Sequence, residues 1–204
     1  MTAPALGLRP PATGSRRTLP GVLMVLAHFR PGTGGTERQA ASLAEGLAAA
    51  GHRVTILTLA RADAPAREEQ DGLVIERALT GSGRGLNFVL TYGASLHRHL
   101  RRLRRGHAIL HAHHLYLEAM AAAWAGRRTG LPAIAKVACG GVDGDFARLR
   151  RTHLLLAVPI LRRLDRVVAI SRETEAELMS HGFPADRIVR IPYRTEVFVG
   201  RRDA

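Results

Sequence analysis

The stretch that decides the fold is residues 21–59, GVLMVLAHFRPGTGGTERQAASLAEGLAAAGHRVTILTL. An apolar run leads into the turn Gly32-Thr33-Gly34-Gly35-Thr36-Glu37, and helical periodicity continues from there to Ala50 before a second apolar run at Val54–Leu59. This order predicts strand, turn, helix and strand, the βαβ unit of a parallel sheet. Backbone N–H groups at the helix N-terminus have no intrahelical partner and attract negative charge. The turn is therefore a candidate contact for phosphate or sugar.

The same alternation of apolar runs and helix-period segments continues to residue 191. The predicted strands are 22–27, 54–59, 73–79, 107–111, 133–137, 166–170 and 187–191, and the predicted helices are 36–50, 86–105, 115–127, 145–163 and 172–181. Pro159 is expected to kink the fourth helix. Segment 61–72 is charged, contains Pro65 and is predicted to be a loop. The pattern predicts an α/β fold, a Rossmann-like doubly wound parallel sheet of about seven strands with helices on both faces.

The N-terminal residues 1–20 contain four prolines and no apolar core, so they are predicted to be a disordered leader and not a signal peptide. No apolar run approaches the roughly 18 residues that a membrane span needs. Cys139 is the single cysteine, which excludes an intrachain disulfide and agrees with a reducing cytoplasm. Cys139 itself is expected to be a small buried hydrophobe and not a nucleophile.

The net charge of +13 comes from 30 basic residues, of which only Lys136 is a lysine. Such a surface attracts phosphates, nucleic acid or acidic lipid headgroups, although base composition or a missing acidic partner region would also explain the charge. Nucleic acid is disfavoured because aromatic residues make up only 4% of the chain and no reading motif occurs.

One helix concentrates this charge. In segment 86–105, helical periodicity groups four arginines on one face and three leucines on the other: Arg98, Arg101, Arg102 and Arg105 against Leu96, Leu100 and Leu103. The basic face is either a solvated outer surface or a contact for anionic lipid heads. The expected localisation is therefore cytoplasmic, with peripheral contact at the inner face of the membrane as one option.

Ligands of open α/β sheets lie beyond the carboxyl ends of the strands, which directs attention to the loops there. The first, 28–36, lacks the dinucleotide fingerprint because Glu37 stands where a third glycine is needed after Gly32 and Gly34, and it lacks the Lys-Ser/Thr of a P-loop. A nicotinamide dehydrogenase and an NTPase are therefore disfavoured. A plain tight turn and a phosphate or sugar contact both remain open for Gly34 and Gly35.

Two further strand ends carry polar or glycine-rich sequence. In His111-Ala112-His113-His114, alternation places His111 and His113 on one side of the chain, where a histidine can bond a sugar hydroxyl, move a proton or simply pack. Two histidines are too few for a metal site, so no metal is predicted. The loop 139–144 contains three glycines suited to close backbone approach, and Ser171 is predicted to cap the helix after it.

Three pieces of the chain, in this order, resemble the N-terminal domain of retaining GT-B glycosyltransferases of family four. They are the opening stretch, HAILHAHH at 107–114 and DRVVAISRETEAELMSHGFPADRIVRIP at 165–192, so the resemblance covers about 21–192. It implies a single GT-B half-domain that faces a second Rossmann-like domain across a cleft. It also implies a nucleotide-sugar donor as substrate, no other cofactor and no metal held by the protein.

The resemblance assigns roles to individual positions. His113 would lie near the reacting sugar as the catalytic histidine. Gly34, Gly35 and Thr36 would lie against the donor diphosphate and sugar, and Gly140 and Gly141 would line the acceptor side. The acceptor would be a glycan or a lipid-linked molecule.

The chain departs from the family after Ile191-Pro192, where the family usually continues Asn-Gly-Val-Asp and this sequence reads Tyr193-Arg194 and ends at Ala204. Residues 193–204 are therefore expected to be a truncated or divergent linker toward an absent donor domain, and divergence, a disrupted reading frame and a donor domain on a separate chain all stay open. The isolated chain is expected to be an inactive or weak hexosyltransferase. Two alternatives stay open: a non-catalytic module that binds an anionic lipid or partner protein, and, less favoured, an epimerase.

Overall fold

The computed structural model describes residues 19–31 and 34–192, and the expected linker at 193–204 lies outside these ranges. The strands are β1 Leu19–Val25, β2 His52–Leu59, β3 Arg67–Gln70, β4 Leu73–Leu79, β5 Ile109–Ala112, β6 Ala133–Lys136, β7 Arg166–Ala169 and β8 Ile188–Arg190. The helices are α1 Gly35–Ala49, α2 Leu86–Leu103, α3 Leu117–Thr129, α4 Asp145–Arg151, α5 Val158–Leu161 and α6 Arg172–Ser180. Of the predicted leader, residues 1–18 lie outside the described ranges, and Leu19 and Pro20 already belong to β1.

The described strands form one sheet in the order β3-β4-β2-β1-β5-β6-β7-β8. Every neighbouring pair is parallel except β3 and β4, which are antiparallel. The strand order reverses between β1 and β5, because β2 lies on one side of β1 and β5 on the other. The predicted Rossmann-like fold is confirmed, and the reversal marks the edge at which such sheets bind ligands.

The prediction of a loop at 61–72 is wrong, because this segment contains β3 and closes a hairpin with β4. The turn is Asp71-Gly72, and both residues have positive φ, 51° and 83°, as a tight two-residue hairpin turn requires. β3 escapes detection by hydrophobicity because it is an edge strand of charged residues. Arg67 of β3 instead bonds the Glu76 carboxylate of β4 at 2.9 Å.

Side chains of the sheet alternate between two separate cores. In β1, Val22 and Met24 pack with α1, whereas Leu23 and Val25 pack into the larger core that includes α2 and α3. Buried side chains from α4, α5 and α6 join this larger core. The expectation of helices on both faces is confirmed, with α1 on one face and the other described helices on the opposite one.

The predicted helix at 145–163 is two helices, since α4 ends at Arg151 and α5 begins at Val158. The break precedes Pro159, which lies in the first turn of α5 where its missing N–H is not needed. His153, just after α4, has a φ of 58°, a left-handed backbone conformation that does not continue a helix. The predicted cap is confirmed: Ser171 Oγ accepts the Thr174 N–H at 3.2 Å, and Thr174 Oγ1 accepts the Ser171 N–H at 2.9 Å.

Candidate functional site

The topology brings three of the predicted loops to one edge of the sheet. Strands β1, β5 and β6 are neighbours, and Gly34, His113 and Gly140 follow their carboxyl ends. The His113 N–H donates to the carbonyl of Val25 at 3.1 Å, which ties the turn after β5 to β1. The loops lie at the reversal of strand order, so they line one continuous candidate site.

In the described part of the glycine turn, the first amides of α1 have no side-chain cap, and the Glu37 carboxylate lies over Gly34, in the space that a Cβ there would take. Gly34 is the N-cap residue in extended conformation, and no side chain caps the helix there. Gly35 is exposed, and a Cβ built on it would meet nothing within 4 Å. Thr36 follows as the half-buried next residue of the helix. Since the Arg38 N–H makes a helical bond to the Gly34 carbonyl at 3.1 Å, the amides before it are free of intrahelical partners and can face a ligand.

His111 and His113 lie on the same side of the chain, as the alternation predicts, with ring centroids 4.3 Å apart. His111 is buried, and His113 has 0% of its surface exposed. Burial, with the charge of Lys136, lowers the pKa of His111 to about 4. Burial also lowers the pKa of His113 well below its ordinary value, so both rings are neutral at pH 7. Within the described residues, neither ring nitrogen of His113 has a hydrogen-bond partner.

Lys136 at the end of β6 is part of the same buried group. Its ammonium donates to the Gln39 side-chain oxygen of α1, which links the sheet edge to the helix behind the glycine turn. Burial lowers the pKa of Lys136 to about 8, with the Asp145 carboxylate acting in the opposite direction. The sequence analysis considered Lys136 only as part of the net charge. Its position at the carboxyl end of a strand could have identified it as a site residue.

Asp145 is a site residue that sequence reasoning missed. It is 3% exposed, and its Oδ2 accepts the N–H groups of Leu115 and Ala138 at 2.9 Å each. Its own N–H donates to the Cys139 carbonyl at 3.1 Å, and its Oδ1 lies 3.6 Å from His114 Nδ1. One carboxylate thus joins the turn after β5 to the glycine loop after β6. An acidic residue at the first position of a helix, directly after the glycine loop, was the signal for it.

Different physical constraints favour glycine at different positions of the loop after β6. A Cβ on Gly140 would lie 2.8 Å from Thr174 Cγ2, and one on Gly144 would lie 2.7 Å from the carbonyl carbon of Gly140. These two positions are therefore explained by packing. Gly141 is exposed with φ of 73°, which favours glycine for backbone reasons and leaves its amide near the surface.

Cys139 is exposed, so the prediction that it is buried is wrong. The chain leaves the sheet after Val137, and Cys139 already belongs to the outer loop. Its thiol donates to the Asp143 carbonyl at 3.3 Å. Partial desolvation and the neighbouring Asp145 raise the pKa of the thiol, which disfavours the thiolate and a role as nucleophile.

The basic face of α2 forms as predicted for Arg98, Arg101 and Arg102, whereas Arg105 lies in the turn after the helix, which ends at Leu103. The four arginines are exposed, Leu96 and Leu100 are buried and Leu103 is partly buried against the core. A shallow depression of about 520 Å³ is lined by His97, Arg98, Arg101, Arg102, Arg104 and Arg105. Arg102 differs from the rest because it pairs with the Glu76 carboxylate. Since α2 returns from the carboxyl ends of the strands, its arginine half lies toward the opposite edge from the glycine turn.

In residues 19–31 and 34–192, no group of three or more His, Cys, Asp or Glu side chains is arranged to hold a metal ion. Within the same residues, no helix has the length and apolar character needed to cross a membrane.

The architecture is shared with several solved structures. A sucrose-phosphate synthase from Thermosynechococcus elongatus matches with a TM-score of 0.64 and 17% identity, over 86% of this chain and 90% of that one. Anabaena Alr3699/HepE in complex with UDP and glucose matches with a TM-score of 0.61 and 17% identity, over 85% of this chain and 44% of that one. This chain thus spans less than half of that protein. At such identities the likeness shows the fold.

Two further matches mark the range of enzymes on this fold. The lipopolysaccharide outer core galactosyltransferase WaaB matches with a TM-score of 0.60 and 14% identity, over 90% of this chain and 50% of that one. A UDP-N-acetylglucosamine 2-epimerase from Rickettsia bellii matches with a TM-score of 0.58 and 10% identity, over 84% of this chain and 44% of that one.

No curated protein sequence matches the chain. The model of the glycosyl transferase 4-like domain matches residues 34–194, most of the chain. The chain therefore belongs to the glycosyl transferase 4-like domain family.

Proposed function

We propose that this chain is the acceptor half of a retaining hexosyltransferase that uses a nucleotide-sugar donor and a glycan or lipid-linked acceptor. One observation carries the proposal: an uncapped helix N-terminus and a buried pair of neutral histidines meet at the reversal of strand order. The Glu37 carboxylate, which lies over Gly34, would have to turn away to admit a diphosphate. Alr3699/HepE, on the same fold, binds UDP and glucose in its own structure. A donor of this class fits amides that face an anion.

In the proposed reaction, the anomeric carbon loses its bond to the diphosphate, which leaves with the electron pair. A bond to the acceptor oxygen forms, and the proton of the acceptor hydroxyl passes to the leaving diphosphate. The amides of Gly35 and Thr36, beside Gly34, offset charge on the diphosphate, as an oxyanion hole does. His113 contacts the sugar as a neutral ring that can donate from one nitrogen and accept at the other. Since His113 is fully covered, this contact requires the groups over the ring to move aside.

The acceptor is assigned to the loop after β6. Gly141, rather than Gly140, offers its backbone to the acceptor there, since Gly140 packs against Thr174. A donor-binding half that faces this one would complete the site. Transfer needs donor and acceptor held together, so this chain alone is expected to turn over slowly or not at all.

Titration of the purified chain with UDP-glucose tests the donor assignment. NMR shifts of the amides of Gly34, Gly35, Thr36 and His113 should change, while those in β8 should not. Gly35→Ala should weaken binding because its methyl group would stand where the diphosphate approaches. Gly46→Ala is the matched control, since Gly46 is also in α1 with nothing within 4 Å of a built Cβ. Equal effects of the two substitutions, or no shift at these amides, would refute the assignment.

Activity of the isolated chain is measured separately. Incubation with UDP-glucose and a panel of glycan and lipid acceptors is expected to yield no transfer. Efficient turnover by the 204-residue chain would show that the half-domain interpretation is wrong.

A second candidate function is favoured by the arginine depression on α2. Five arginines and His97 line it, so it suits a ligand with phosphate groups. The chain would then act as a binding module for an anionic lipid or partner, at the inner face of a membrane in the first case. Soluble polyphosphate is the probe, and Arg98→Glu with Arg101→Glu and Arg105→Glu should abolish its binding. Arg102 is left unchanged because it holds Glu76. Unchanged binding by the triple variant would remove this candidate.

A further inference from the structure

The outer face of α2 changes character along its length. Leu86 and Leu90, in the first half, are 71% and 62% exposed. Arg98 and Arg101 follow on the same side of the helix, since residues three or four apart share a face, and Arg105, in the turn after the helix, lines the same depression. The 18 residues of α2 span about 27 Å. One stripe thus presents an apolar end and a basic end.

Nothing on α2 opposes an anionic surface. The helix contains no acidic residue. Glu76 of β4 reaches it, but that carboxylate is held between Arg102 and Arg67. The stripe is therefore uniformly neutral or positive from Leu86 onward.

Trp124 of α3 lies beside the basic end of the stripe and is 36% exposed. The His97 ring packs edge-on against it with centroids 4.3 Å apart, and the Arg128 guanidinium lies 4.0 Å from its ring centroid. A second depression, of about 360 Å³, lies here and is lined by His97, Arg101, Arg104, Ala125, Arg128 and Thr129. An exposed tryptophan among arginines is typical of the interface between lipid headgroups and acyl chains.

We propose that the outer stripe of α2, together with Trp124, docks flat on an anionic lipid bilayer. The proposal rests on the second candidate function and adds the occupant. Arg98, Arg101 and Arg105 would meet lipid phosphates, while Leu86 and Leu90 would enter the acyl boundary. An acidic protein segment would satisfy the arginines but would not account for two leucines exposed on the same stripe. A bilayer accounts for both.

Docking in this orientation has a consequence for the candidate site. Because α2 follows β4, its first residue lies toward the carboxyl edge of the sheet. This is the edge that carries the glycine turn and His113. The bilayer would then lie beside that edge, within reach of an acceptor carried on a lipid.

Vesicle binding tests the proposal with a built-in reporter. Trp124 is the only tryptophan of the chain, so its fluorescence reports on this surface alone. Vesicles of phosphatidylcholine with phosphatidylglycerol should sediment the protein and shift its emission to shorter wavelength. Phosphatidylcholine alone should bind far more weakly. Lipids brominated in the acyl chains should quench Trp124 in the anionic vesicles.

Two sets of substitutions separate charge from insertion. Arg98→Ala, Arg101→Ala and Arg105→Ala should each weaken partitioning about fivefold. Leu86→Ser with Leu90→Ser should weaken it at least about tenfold while soluble polyphosphate still binds. The controls are Leu156→Ser, exposed on another element, and the triple alanine variant of Arg150, Arg163 and Arg172, which loses the same charge elsewhere.

The outcomes distinguish this inference from the function on which it rests. Binding to anionic vesicles that needs both arginines and leucines, with quenching of Trp124, supports bilayer docking. Binding that needs only the arginines, without quenching, overturns docking but leaves anion binding in place. Docking is also overturned if the chain does not bind anionic vesicles but does bind polyphosphate, or if it binds a soluble acidic protein and no vesicles. Equal loss from the control variants would do the same.

Discussion

Asp145 is the side chain whose removal should disturb the candidate site most. It closes two loops at once, because its Oδ2 accepts N–H groups from Leu115 and from Ala138, and the residue is almost fully buried. Replacement by alanine leaves both amides in place and removes their shared acceptor. We therefore expect Asp145→Ala to destabilise the protein and to loosen both loops.

The size of the effect follows from the number of orphaned donors. A buried donor without a partner costs about 1–3 kcal/mol, so two amides cost about 2–6 kcal/mol. Water entering the space of the lost carboxylate would recover part of this, which gives an expected loss of about 3 kcal/mol. Asp145→Asn keeps an oxygen that can accept both bonds and should lose only about 1–2 kcal/mol.

Urea denaturation and amide hydrogen exchange measure the two parts of this prediction. The free energy of unfolding should fall in the order wild type, Asp145→Asn, Asp145→Ala. Exchange at Leu115 and Ala138 should speed up in the alanine variant beyond the global change, whereas exchange at Leu110, inside β5, should follow global stability. Asp143→Ala is the matched control, because Asp143 is two residues away and exposed, and its carboxylate lies 3.5 Å from the guanidinium of exposed Arg151. It should change stability by less than about 0.5 kcal/mol.

A small loss for Asp145→Ala, similar to that of Asp143→Ala, would refute the reasoning. So would unchanged exchange at Leu115 and Ala138 in a variant that is destabilised. The first result would mean that the two amides find other acceptors. The second would mean that the carboxylate contributes to global stability without holding these loops.

Two further predictions concern the histidine pair and the glycine loop. Since the pKa of folded His111 is about 4 and its ordinary value is 6.5, the unfolded chain binds more protons between these values. Stability should therefore fall as the pH drops from about 6.5 toward 4, by up to about 1.4 kcal/mol per pH unit for this ring, with His113 acting in the same direction. Denaturation curves across this range measure it, and a slope that His111→Asn leaves unchanged would contradict it. Gly140→Ala should cost about 1–3 kcal/mol because its Cβ would lie 2.8 Å from Thr174 Cγ2. Adding Thr174→Ser removes that methyl group and keeps the hydroxyl, so thermal melts of the double variant should recover part of the loss; no recovery would mean that the clash is not the cause.

The comparison of prediction with structure shows where periodicity is informative. The strand at Leu73–Leu79 was predicted at its observed bounds, because all of its residues except Glu76 and Arg77 are apolar and glycines lie on both sides of it in the sequence. The hairpin strand β3 was missed because an edge strand of charged residues carries no hydrophobic pattern, although its Asp-Gly turn was visible. The kink predicted at Pro159 was placed wrongly. The proline lies in the first turn of α5, and the helical conformation is already interrupted at His153, which has a positive φ.

The sequence by itself determined the order of strands and helices, the glycine turn at the start of α1 and the shared side of His111 and His113. These are local properties, since periodicity, capping and alternation depend on neighbours within a few residues. Only the tertiary structure decided that the Asp145 carboxylate accepts N–H groups from Leu115 and Ala138, which lie 30 and 7 residues earlier in the chain. It also decided that Gly140 is packed while Gly141 is exposed, and that Lys136 lies beside the histidines. These contacts depend on which strands lie side by side and on which atoms water no longer reaches, so sequence spacing does not encode them. The glycine turn thus lies before α1, as predicted, and the order of the strands places the loops after β5 and β6 next to it.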